Sequence, residues 1–181
     1  MAKVGGFFTL LTAALIFGCA AVSSVEPVGE RAKETSQNEW GGTWIHKSHS
    51  ITIKVLNEQK GLLQVAWVEE KEGSLKIESY QVAIRKSGEW IFGNVKEKED
   101  SAFHYWALIK KDVGQIIVWT PDPAQFRKLV QRGVLRGKVE RYETILEKFM
   151  PDDLKVILSG DKGVYFEWGN PVVFFRLGKE G

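Results

Sequence analysis

From residue 40 onward, apolar positions recur at every second residue, the period of strands with one buried face. Ile51, Ile53 and Val55 alternate with Thr52 and Lys54. A turn at residues 57–61 leads to the next stripe, Leu63, Val65 and Trp67, and residues 69–73 form a second, charged turn. Leu75 and Ile77 continue the alternation, but the apolar parity then moves to Tyr80, Val82 and Ile84. A slip of one residue turns a strand's faces over, so a β-bulge is predicted near Ser79. After a turn at residues 86–89, Trp90 and Phe92 begin another strand. Phe103, Tyr105 and Ala107 then oppose His104, Trp106 and Leu108. Beyond the turn Asp112-Val113-Gly114, residues 115–120 are apolar on both faces.

The pattern changes past Pro121. Asp122 as N-cap, Pro123 at the first helical position and Gln125 at the capping-box position predict a helix start. Phe126, Leu129 and Val130 share one face of that helix, and Gly133 ends it. Residues 142–147 return to a strand-like pattern. Pro151, Asp152 and Asp153 open a second short helix, with both acids near its positive end, and Gly160 stops it. Two further strands are predicted at residues 163–168 and 172–177, joined by Gly169-Asn170-Pro171. The expected fold is mainly β, an antiparallel up-and-down meander of about eight to ten strands with two short helices between residues 121 and 160. Either the meander closes into a barrel, which removes exposed edges, or it stays an open, strongly curved sheet with the helices packed on it. Strands apolar on both faces suit a barrel wall with helices outside it, and equally a dimer interface.

Residues 1–18 read as a signal peptide: Lys3, an apolar run over residues 7–17 broken only by Thr9 and Thr12, then Gly18. The run is short of the ~20 apolar residues that a membrane span needs. Ile16-Phe17-Gly18-Cys19 resembles the lipobox of bacterial lipoproteins, although Phe17 stands where a small residue is usual. The resemblance implies export, cleavage ahead of Cys19, and a lipid anchor (palmitate or a related acyl chain) on that cysteine. Ala20, where aspartate would favour retention in the inner membrane, implies the outer membrane facing the periplasm if the source is Gram-negative. A plain signal peptide with a chance cysteine is the alternative. Residues 19–39 are polar and lack a periodic pattern, so they read as a flexible tether before a barrel domain at residues 40–178.

With 181 residues, 44% hydrophobic and 27% charged, the chain suits one globular domain and is too apolar for disorder. The net charge of +2 falls to +1 once Lys3 is removed. Charges of both signs are mixed along the chain, which argues against a nucleic-acid partner. Cys19 is the only cysteine, so no disulfide can form within the chain.

Gly42-Thr43-Trp44 resembles the Gly-x-Trp signature of lipocalins and fatty-acid-binding proteins. The resemblance implies that Trp44 plugs one barrel end and that a basic residue of the last strand, here Arg176, packs across its ring. Such a pair is worth ~0.5–2 kcal/mol. It also implies a barrel with a cavity for a small apolar molecule, although the helical segment between Pro121 and Gly160 departs from ordinary lipocalins. Trp67, Trp90, Trp106 and Trp119 either line that cavity or fill the core.

Catalytic chemistry is sparse. His46 and His49, three apart, would face opposite ways on one strand, and no third metal ligand follows; they read as solvated turn residues. His104 shares a face with Trp106 and reads as a wall residue. Asp152 and Asp153 are explained by helix-end charge. Serine-nucleophile and phosphate-cradling motifs are missing, so no enzyme, metal or cofactor is expected. The sequence thus suggests a non-enzymatic envelope lipoprotein, held to a membrane through lipid on Cys19. It would bind a small apolar ligand or lipid, or else dock another envelope protein with a barrel filled by side chains.

Overall fold

The computed structural model describes residues 21–178 apart from 48, 72, 97–99 and 159–164, so the lipobox and Cys19 lie outside the described residues. In chain order the elements are β1 (Ala21–Ser24), β2 (Arg31–Ala32), α1 (Gln37–Trp40), β3 (Gly42–His46), β4 (His49–Asn57), β5 (Leu62–Lys71), β6 (Ser74–Ser87) and β7 (Trp90–Val95). There follow β8 (His104–Asp112), β9 (Gln115–Trp119), α2 (Pro123–Gln131), β10 (Gly137–Val139), β11 (Glu143–Leu146), α3 (Pro151–Leu158) and β12 (Val172–Arg176).

Strands β3 to β9 pair antiparallel in sequence order, and β12 fits between β9 and β3. The eight strands therefore close into a ring, the lipocalin-like barrel that the alternation allowed, and the open-sheet alternative falls. Both helices between residues 121 and 160 precede the last barrel strand. Strand β8 serves two sheets. Its residues Leu108 to Asp112 pair with β9, while His104 and Tyr105 pair with Ser24 and Ser23 of β1. From there β1 continues in parallel with β11, and β10 forms the outer edge.

This branching explains the strands that are apolar on both faces. Inward residues of the barrel, among them Ile51, Ile53, Leu63, Ile84, Ile116 and Phe174, form one core. Outward residues of β7 and β8, Phe92, Trp106 and Leu108, form a second core with Phe126 and Leu129 of α2, Leu154 and Ile157 of α3, and Val22, Leu146 and Phe166. Asp122 caps α2 as expected, accepting from the Ala124 and Gln125 amides at 2.9 and 3.1 Å.

Three expectations need correcting. The described part of the expected tether, residues 21–39, is not free but a packed strap: Val22, Ser23, Ser24, Val28 and Thr35 are buried. The side chain of buried Asn94 clamps it, accepting from the Val28 amide at 2.6 Å and donating to the Val28 carbonyl at 3.0 Å. Gly61, at φ +60°, lets the strap pass, since a Cβ there would strike the Lys33 carbonyl. Second, no bulge occurs at Ser79. The β5–β6 register runs unbroken from Leu62↔Ala83 to Lys71↔Ser74, and Leu75 and Ile77 simply face outward, 73% and 67% exposed. The irregularity sits instead in β4, between Val55 and Asn57. Third, residues 165–168 form a turn with a single bridge, Phe166 to Pro121, rather than a strand; residues 163–164 and Gly160 lie outside the described residues. The strands β10 and β2 and the one-turn helix α1 carried no periodic signal of their own.

Candidate ligand-binding site

One barrel end is shut. Trp44 is fully buried there, and its indole N–H donates to the Trp40 carbonyl at 3.0 Å. The Arg176 guanidinium lies over the ring, 5.3 Å from its centroid, and donates to the Gly41 carbonyl at 2.6 Å. Lys111 adds a second cation 5.2 Å from the same centroid. Burial is the main reason the Lys111 ammonium titrates below its usual range; Glu39 opposes the shift and Arg176 adds to it. Gly42 holds a φ of +116° beneath Arg176, a conformation that side chains rarely adopt.

Above this plug the barrel holds a partly open cavity of about 200 Å³. Its wall is aliphatic and aromatic (Trp40, Ile51, Ile53, Leu63, Val65, Trp67, Val82, Ile84, Ile109, Ile116, Val118 and Phe174), completed by Tyr80, Val95, Lys96 and Tyr105. An apolar cavity of ~150 Å³ stays dry and accepts a benzene-sized guest, whereas drug-sized ligands need ~300 Å³ or more. The space therefore suits a single ring or a short alkyl chain. A wider hollow of about 870 Å³ on the outer surface is lined by Arg31, Glu34, Glu58 and Lys86 among other polar chains, which suits solvent rather than an apolar guest.

Of the four tryptophans considered for a cavity wall, only Trp67 lines it. Trp106 is buried in the outer core, edge-on to Phe92, Phe126, Phe149 and Phe166, and Trp90 and Trp119 pack against that core. A tryptophan on a strand with two apolar faces gives no signal of which face points inward.

The histidines are placed differently from the expectation. His46 and His49 are opposite one another in the β3–β4 hairpin, not three apart on one strand, so both face the barrel side. They begin a register row that continues through Glu69 to Lys76. His46 donates from Nδ1 to the Val173 carbonyl at 2.8 Å, which fixes its tautomer because a carbonyl only accepts. Its ring packs on Phe174, and the His49 ring lies 5.2 Å from Trp67. Buried Glu69 accepts from the Trp67 indole at 3.3 Å. Among the described residues no three His, Cys, Asp or Glu side chains are grouped to hold a metal, and no helix is long and apolar enough to cross a membrane.

His104 lies on the outer side, pairing with Ser24. Burial first, and the Lys96 charge second, lower its pKa below the usual 6.5. The unfolded chain therefore takes up the proton more readily than the folded one. The His104 contribution to stability is complete above pH 6.5 and is lost as the pH falls through the lowered value. Melting midpoints should drop between about pH 7.5 and about pH 5, and His104→Gln should make that drop shallower.

No protein-family model matches the chain, and no match was found among curated proteins or solved structures.

Proposed function

We propose that the chain is a lipid-anchored envelope protein whose barrel binds a small apolar molecule without converting it. The observation that carries the binding reading is the cavity of about 200 Å³ between the Trp44 plug and Trp67. Apart from Lys96 and two tyrosine hydroxyls its wall offers no group for acid–base or nucleophilic chemistry. Native mass spectrometry of the purified protein should find a co-purifying small molecule; a clean unliganded mass from several hosts would count against it.

The anchor reading rests on the sequence around Cys19. Ala21 is already hydrogen-bonded, its amide donating to the Tyr142 carbonyl at 3.0 Å. Two residues of chain reach at most ~7 Å, so a lipid on Cys19 would hold the β1–β11 sheet close to the membrane surface. A Cys19→Ser protein should lose fatty-acid labelling and leave the membrane fraction. Continued membrane association of that variant would sink the anchor.

A second reading, docking of another envelope protein, is favoured by an outward row that runs Phe175, Ile45, Ser50, Val68 and Ile77 across five adjacent strands. Phe175 is 59% exposed, and Leu75 adjoins the end of the row. Apolar surface of this kind on a barrel wall often marks a contact face.

A further inference from the structure

We propose that the rim beside the cavity selects a small apolar amine, with its ammonium head on Glu69. The inference rests on the cavity being the ligand site. Glu69 is an unusual rim residue: a carboxylate whose side chain is only 9% exposed. Its Oε2 accepts from the Trp67 indole at 3.3 Å and lies 3.9 Å from His49 Nδ1. Its Oε1 has no hydrogen-bond partner among the described residues. A buried carboxylate oxygen lacking a donor is unfavourable, and a donor brought by a ligand would satisfy it.

Position and charge narrow the class of that donor. Trp67 is cavity wall and is tied to Glu69 through its own N–H. Glu69, two residues on along β5 and on the same face, lies just beyond the lining, where the head of a molecule in the cavity would extend past Trp67. The Lys76 ammonium, next along the register row, is engaged by Glu78 at 2.7 Å. Among the described residues, Glu69, Glu78 and Lys76 together carry −1, while Lys96, a cation on the cavity wall, is an exposed residue at the end of β7. A carboxylate head would set two like charges together. An alcohol brings a donor but no charge. An ammonium brings both, and the Trp67 indole, whose N–H already holds Glu69, is an aromatic ring of the kind that attracts a cation.

Titration calorimetry near neutral pH with one apolar body and four ends tests this: ethylbenzene, 2-phenylethanol, 2-phenylethylamine and 3-phenylpropionate. The amine should bind about tenfold tighter than the alcohol and tighter still than the acid. Glu69→Gln, which keeps an oxygen for the Trp67 N–H, should erase the preference and leave ethylbenzene binding unchanged. An acid that binds as tightly as the amine, or an amine preference that survives Glu69→Gln, overturns the assignment. If ethylbenzene binds and all four ends bind alike, the amine inference alone falls. If ethylbenzene does not bind, the cavity reading falls and takes this one with it.

Discussion

Replacing Trp106 by alanine should lower unfolding free energy by about 3–5 kcal/mol, the range for deleting a fully buried tryptophan. The indole is 1% exposed and meets four phenylalanine rings edge-on, which come from β7, from α2, from the segment before α3 and from the bridge at Phe166. Those segments meet in the same outer core, with Trp106 at the point where the four rings converge, so its removal should loosen the helices from the barrel wall together. Trp106→Phe should cost less than the alanine change. The Trp106 indole N–H has no acceptor among the described residues, so phenylalanine removes an unpaired donor along with some packing. Urea melts of both variants check the order. A Trp106→Ala protein as stable as the parent would mean that the outer core does not hold the helices.

The second large effect is expected at the plug. Trp44→Ala should also cost about 3–5 kcal/mol, because it empties a fully buried site between β3 and β12. It also leaves the Trp40 carbonyl without its donor and two cations without their ring. Arg176→Ala should cost far less, about 0.5–1 kcal/mol, since Arg176 is an exposed residue. In a double-mutant cycle the arginine effect should shrink in the Trp44→Ala background to what the Gly41 hydrogen bond contributes; a full-sized arginine effect there would show that Arg176 acts through Gly41 alone.

Much of the barrel was legible because a strand with one wet face writes its period into the sequence. Ile51, Ile53 and Val55 are such a case, and so are the caps of α2, which depend on local chemistry at Asp122 and Pro123. Legibility failed where burial came from outside the local pattern. Trp90, Trp106 and Trp119 stand on strands buried on both sides, so alternation could not say which residues face the cavity. The strap over residues 21–36 has too few apolar residues for a periodic signal, and Asn94, sixty-six residues from Val28, holds it. Leu75 and Ile77 suggested a bulge because exposed apolar residues look like a buried stripe. The candidate site was the least legible part. The spacing of His46 and His49 means opposite faces on one strand and the same face across a tight hairpin, and only the turn distinguishes the two. Glu69 gave no signal in the sequence, since it opens the charged run Glu69-Glu70-Lys71-Glu72 and reads as part of a turn.

The cavity is the point on which the functional account turns, and filling it is the direct test. Val65 lines it, near its middle, and Val65→Phe would occupy much of the space at an overpacking cost of about 1–3 kcal/mol. Titrating toluene into the parent protein and into Val65→Phe, with circular dichroism to confirm that both are folded, is the decisive measurement. The account predicts one toluene site in the parent and at least about tenfold weaker binding in the filled variant. No binding to the parent, or equal binding to both, would contradict it.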